Sequence, residues 1–185
     1  MRESLHREPT DLTGIARHYI RDVIYGANDG IITTFAVVAG VTGGSLSSGA
    51  ILIVGVANLL ADGLSMGVGN YLSIRSNESA REAQNLPEEE AAPARHGVAT
   101  LVAFVLAGAV PLVPYTVAIS VDLRFSASVG LTLLTLFVVG SLRSLVTVDR
   151  WLTAGLEMLL LGIVVAAAAY GSGALVAALI GRAGA

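Results

Sequence analysis

The chain of 185 residues contains no cysteine, and its 11 basic residues other than histidine are all arginine, so lysine is missing too. Without cysteine there is no disulfide framework, no thiolate metal site and no iron–sulfur cluster. Without lysine there is no phosphate-binding loop of the G-x-x-x-x-G-K-[ST] type, so the chain is not by itself an ATP-driven motor of that class, and a retinal Schiff base is impossible. Charge of either sign is scarce, at 14% of residues with a formal net charge of −3. No nucleophile–base pair and no cofactor motif is found, so neither an enzyme nor a bound cofactor is expected, and nucleic acid is not an expected partner.

What the chain does have is apolar sequence: 54% hydrophobic residues and a mean hydropathy of +0.74. That excess is too large for an ordinary soluble domain and predicts an all-α integral membrane protein. Apolar runs fall at about 26–46, 49–73, 97–120, 125–146 and 151–181, each near or above the ~20 residues a helix needs to cross the hydrocarbon layer. Five transmembrane helices are therefore expected within a domain covering 25–185.

Residues 1–24 are polar and charged with no apolar core, which fits neither a cleaved signal nor a span. Leu12, Ile15, Tyr19 and Val23 recur at helical spacing away from Arg17 and Arg21, the pattern of a short amphipathic helix on the membrane surface, with Thr10 or Asp11 as its cap. Cytoplasmic loops retain arginine. With the amino terminus inside, Arg2, Arg7, Arg17, Arg21, Arg75, Arg81, Arg95, Arg143 and Arg150 are cytoplasmic, and Arg124 and Arg182 lie outside. The expected topology is N-in, C-out.

The one sizeable connection, residues 74–96, carries Glu78, Glu82, Glu88, Glu89 and Glu90 and reads as an acidic cytoplasmic linker, or more sharply as a funnel that concentrates cations at the mouth of a pathway. Glycines at four-residue spacing, Gly26/Gly30, Gly40/Gly44 and Gly63/Gly67, extended by Ser65, Gly69 and Ser73, permit close helix packing within one subunit or across a symmetric dimer. Pro111 and Pro114 are expected to kink or break the third span. Trp151, Tyr71 and Tyr115 are candidate interface anchors, and His18 and His96 flank the membrane as solvated side chains.

The residues that carry chemistry are the acids inside the first two spans. An ionised carboxylate at mid-membrane costs about 2.5–3.5 kcal/mol on insertion scales, so Asp29 and Asp62 need a partner or a substrate. Asn58, Asp62, Met66 and Asn70 are spaced by four and climb one face of the second span, and Thr33 follows Asp29 by one turn in the first. Carboxylate and amide oxygens with a thioether suit a transition metal such as Fe²⁺ or Mn²⁺ better than Mg²⁺ or Ca²⁺. Each residue also has a plainer reading: Asp29 as a helix cap, Asn58 and Asn70 as interhelical glue, Met66 as packing. Glu157 is expected to pair with Arg143 or Arg150 near the surface.

The stretches Arg21-Asp22-Val23-Ile24-Tyr25-Gly26-Ala27-Asn28-Asp29-Gly30, Phe35-Ala36-Val37-Val38-Ala39-Gly40, Ser65-Met66-Gly67 and Gly69-Asn70-Tyr71-Leu72-Ser73 resemble the vacuolar iron transporter family, including its nodulin-21-like branch. Gly108-Ala109-Val110-Pro111-Leu112-Val113-Pro114-Tyr115 is similar to the family's third span. The resemblance implies a five-span homodimer that moves Fe²⁺ or Mn²⁺ out of the cytoplasm in exchange for protons, with Asp29 and Met66 lining the path at the dimer interface. The resemblance places the chain in the inner membrane of a prokaryote or the vacuolar membrane of a eukaryote. Plant members carry a glutamate where this chain has Asn58, and Asp62 restores a carboxylate one turn away. They also carry a helical cytoplasmic domain between spans two and three, for which the linker here is too short. The rival reading is a non-transporting membrane scaffold whose polar residues only lock helices together.

Overall fold

The computed structural model describes residue 4, residues 9–145 and residues 147–183, and its described residues are helical apart from turns and one isolated bridge between Ser4 and Glu88. The elements are α1 (Leu12–Gly43), α2 (Ser48–Ala83), α3 (Pro93–Gly108), a 3₁₀ turn (Val110–Leu112), α4 (Val113–Thr116), α5 (Val121–Arg143) and α6 (Trp151–Ala183). Five segments are long and apolar enough to cross a membrane, with α3, the 3₁₀ turn and α4 counted as one span. The chain is an all-α integral membrane protein.

Local chemistry sets the helix ends. Asp11 caps α1, its Oδ2 accepting from the Gly14 amide at 3.3 Å, and Ser47 caps α2, its Oγ accepting from the Ala50 amide at 3.3 Å. Both satisfy an amide that the first helical turn leaves unpaired. Pro93 begins α3, where its missing N–H is no loss. The break expected at Pro111 and Pro114 is present: α3 stops at Gly108, and the freed Pro111 carbonyl accepts from Ser128 Oγ of α5 at 2.7 Å.

Two boundaries differ from the sequence expectation. The segment 12–23, read as a separate surface helix, runs without interruption into the first span. Much of the linker 74–96 is helix as well, because α2 continues to Ala83 and the true connection to α3 is only 84–92. Polar residues end an apolar run without ending a helix. At 32 and 36 residues, α1 and α2 reach about 48 and 54 Å, well beyond ~30 Å of hydrocarbon. A short turn at 44–47 joins them, so their surplus length projects at the other end of the bundle, called here the N-terminal end.

Backbone contact holds the bundle together. A Cβ at Gly26 or Gly30 would strike the carbonyl of Thr100 or Phe104, and one at Gly67 would lie 2.9 Å from the Gly97 carbonyl, so α3 lies directly on α1 and α2. A Cβ at Gly43 would likewise strike the Tyr170 carbonyl, and one at Gly173 the Gly40 carbonyl, so α6 also lies directly on α1. These glycines therefore serve packing inside one subunit. Phe35, Val38, Ile51, Leu112 and Tyr115 form one buried cluster, and Ile31, Leu136 and Met158 another. Tyr115 is thus a core residue rather than an interface anchor, while Trp151 is exposed. Among the described residues, α2 packs mainly against α1 and α3, and Leu60, Leu64, Val68 and Leu72 are exposed.

Candidate metal pathway

The helical register brings the two intramembrane acids together. Asn70 Nδ2 of α2 donates to Asp22 Oδ1 of α1 at 2.8 Å, which fixes how the two antiparallel helices are aligned. From that pair, at 1.5 Å per residue, Asp29 rises about 10 Å along α1 and Asp62 about 12 Å back along α2, so they reach the same level. Thr33 and Asn58 occupy the next level by the same count. Asp29 lies deep within α1, so it does not cap a helix; Asp11 does that.

The predicted residues do not form a single coordination sphere. Asn58, Asp62, Met66 and Asn70 are all half-buried on one stripe, but twelve residues of helix separate its ends by about 18 Å. The stripe is a track rather than a cage. Asp29 and Asp62 share its middle, with Met66 one turn from Asp62 on the side of Asn70. Thr33 Oγ1 donates to the Asp29 carbonyl at 2.8 Å, which leaves its oxygen lone pairs available. The Asn58 side-chain nitrogen is buried without a hydrogen-bond partner, a cost in an apolar bundle that an arriving ligand or a second subunit can offset. Ser65, Gly69 and Ser73 are exposed and stand three residues on from Asp62, Met66 and Asn70, so a stripe of small residues borders the polar track on its open side.

Asn70 acts as interhelical glue, the plainer of its two readings. Its amide nitrogen also donates to Thr100 Oγ1 at 2.8 Å, and Thr100 Oγ1 donates to the His96 carbonyl at 3.0 Å. His96 is 5% exposed, contrary to the solvated position expected for it, because the His18 and Tyr19 rings of α1 pack against its ring. Its Nδ1 lies 2.6 Å from Asp22 Oδ2, and its Nε2 lies 3.0 Å from Glu90 Oε2. His18 is half-buried beside it, with Nε2 3.3 Å from the same Glu90 oxygen. Sequence reasoning missed Asp22, His18, Glu90 and His96. The available signal was spacing: His18 and Asp22 are one turn apart on α1, as are His96 and Thr100 on α3. Glu157 behaves as expected, its Oε2 accepting from the Arg143 guanidinium at 2.7 Å.

Five membrane-length helices, with an aspartate at the same level in each of the first two, define a polytopic membrane protein with acids inside its spans. The VIT family profile matches residues 20–92 and 79–174, and the chain belongs to this family. It is 28% identical to vacuolar iron transporter 1 of Eucalyptus grandis over 213 aligned positions, covering 84% of this chain and 86% of that protein. Vacuolar iron transporter 1 of Arabidopsis thaliana is also 28% identical, over 84% of this chain and 85% of its own length. A vacuolar iron transporter of Toxoplasma gondii is 42% identical over 87 residues, which is 42% of this chain and 29% of the relative.

Proposed function

We propose that this protein transports a divalent transition-metal ion, Fe²⁺ or Mn²⁺, out of the cytoplasm along the track between α1 and α2, in exchange for protons. Metal ion transport is the activity in the relatives' names. The reading rests on Asp29 and Asp62 standing at one level of two membrane-length helices that touch each other, with no arginine in residues 26–46 or 49–73. Two like charges at such a place repel unless a cation or protons intervene. Metal binding requires the carboxylates unprotonated, so loading releases protons and unloading takes them back. Met66 supplies the soft donor that discriminates against Mg²⁺ and Ca²⁺.

Three structural expectations belong to the same reading. The working unit is a homodimer in which the small residues Ser65, Gly69 and Ser73 of two copies approach and close the open side of the track. The N-terminal end faces the cytoplasm, in keeping with Arg17, Arg21, Arg75, Arg81, Arg95, Arg143 and Arg150 at that end; Arg2 and Arg7 lie outside the described residues, as does the Arg182 side chain. The chain is a short form without an inserted metal-binding domain, consistent with the two family matches meeting at 79–92 and with the brief 84–92 connection. The membrane is the vacuolar one in a eukaryote and the inner membrane in a prokaryote.

Proteoliposomes loaded with an iron- or manganese-sensitive dye test the proposal. Uptake of Fe²⁺ or Mn²⁺ should rise when a pH gradient is imposed, and Asp29→Asn or Asp62→Asn should reduce it at least tenfold. Uptake that ignores both substitutions and the gradient removes the two acids from the mechanism. A melting temperature unmoved by Fe²⁺, Mn²⁺ and Co²⁺ would then favour the scaffold reading, since a ligand of the folded state raises it.

A further inference from the structure

The N-terminal end holds a second cluster of metal-binding groups that the track does not use. We propose that His18, Glu90 and His96 form a metal site of their own, taking one divalent transition-metal ion, with Asp22 as the residue that positions His96. One donor atom from each of His18, Glu90 and His96 lies within 4.8 Å of the other two. The Glu90 oxygen is 3.0 Å from His96 Nε2 and 3.3 Å from His18 Nε2. Those are the separations of neighbouring ligands around an ion bonded at about 2.0–2.2 Å, which places donors roughly 3.0–3.5 Å apart.

The groups behind the donors support a built site rather than a chance ion pair. A histidine that ligates a metal through one nitrogen characteristically gives its other N–H to a carboxylate. Asp22, 3% exposed, receives His96 Nδ1 at 2.6 Å, which turns Nε2 towards Glu90. Asp22 is in turn held by Asn70, Asn70 binds Thr100, and Thr100 returns to the His96 carbonyl. Three helices thus fix one imidazole. Two imidazoles with one carboxylate form a donor set for Fe²⁺, Mn²⁺, Co²⁺ or Zn²⁺, whereas Mg²⁺ and Ca²⁺ prefer oxygen alone.

The cluster opens to solvent through a cleft of about 430 Å³ edged by Glu78, Glu89 and Arg21. Arg81 engages Glu89 at 2.9 Å, and the Arg21 guanidinium lies 3.9 Å from Asp22, so the cleft is not uniformly acidic. Asn70 belongs both to this cluster and to the polar stripe of α2. That shared residue makes the site an antechamber to the track, a role that rests on the transport reading; binding at the site does not.

Co²⁺ titration of the purified full-length protein, followed by visible absorption, separates the two. The Asp29→Asn/Asp62→Asn double variant should still bind one Co²⁺ per chain with an imidazole-type spectrum. In that background His18→Ala and Glu90→Gln should each abolish or shift the band, and Asp22→Asn should weaken binding by about 10- to 100-fold. His18 is half-buried and Glu90→Gln is isosteric, so at least one variant keeps the fold, as an unchanged melt without metal will verify. A double variant that binds no Co²⁺, or whose spectrum neither His18→Ala nor Glu90→Gln alters, overturns the site. Loss of liposome transport alone does not touch it.

Discussion

Asp62 is half-buried on a helix whose outward neighbours Leu60 and Leu64 are 53% and 55% exposed. A carboxylate at such a place adds nothing to packing and opposes insertion by about 2.5–3.5 kcal/mol. Neutralising it should therefore relieve the protein. The prediction is that Asp62→Asn leaves the melting temperature in detergent unchanged or raises it, while transport falls; a drop of several degrees would show a structural partner and weaken the case for a carboxylate kept for cargo. Asp22 should behave in the opposite way. It is buried and bonded to both His96 and Asn70, so Asp22→Ala strands both partners and should destabilise by about 1–3 kcal/mol, seen as a lower melting temperature without any metal present. The contrast between two aspartates on neighbouring helices separates a residue held for function from one that also holds the fold. It also explains what was readable beforehand. Asp29 and Asp62 stand out because each is an acid among apolar neighbours, and Met66 because it stands four residues from Asp62 on the same helix face. The His96–Asp22–Asn70 network joins residues as many as 74 positions apart, and local spacing offers only its one-turn pairs, not how the helices bring them together.

At the scale of elements, five spans and a proline break were legible because length and apolar composition are local properties. The reach of α1 and α2 beyond the hydrocarbon was not, since residues 12–23 and 74–83 are polar and helical together. The glycine stripes were legible as contact surfaces but not as to which surface they meet. Gly26 illustrates the resolution: its missing Cβ leaves room for the Thr100 carbonyl of α3, so α1 and α3 touch backbone to backbone. Gly26→Val should push the helices apart at a cost of about 1–3 kcal/mol, through the overpacking that any rigid core resists. Gly130 makes the control, because a Cβ there meets nothing within 4 Å. Thermal melts of Gly26→Val and Gly130→Ala should differ clearly, the first lowered and the second unchanged or raised; equal melts would mean that α1 and α3 do not depend on this contact.

At the scale of the whole molecule, α2 sets the problem. Its buried residues Leu59, Gly63 and Gly67 face α3 and Ile51 and Gly55 meet Leu112 of the 3₁₀ turn, the polar stripe runs alongside them, and beyond it lie Ser65, Gly69 and Ser73 with open space around Gly69. On the transport reading proposed above, one subunit holds the half-buried Asp62 beside the exposed Ser65 and Gly69, and a cation bound there would meet lipid. A second copy related by a two-fold axis removes the difficulty, since small residues let the α2 helices approach and place one track against the other. The absence of cysteine makes this directly testable. Single replacements Ser65→Cys and Gly69→Cys should give covalent dimers on mild oxidation in native membranes, because a disulfide needs Cα atoms about 4.4–6.8 Å apart. Leu179→Cys, on the exposed face of α6, should stay monomeric. Monomers at all three positions, or dimers at Leu179→Cys alone, would place the subunit contact elsewhere and leave the Asp29–Asp62 track open to lipid, a setting in which cation passage between α1 and α2 is untenable.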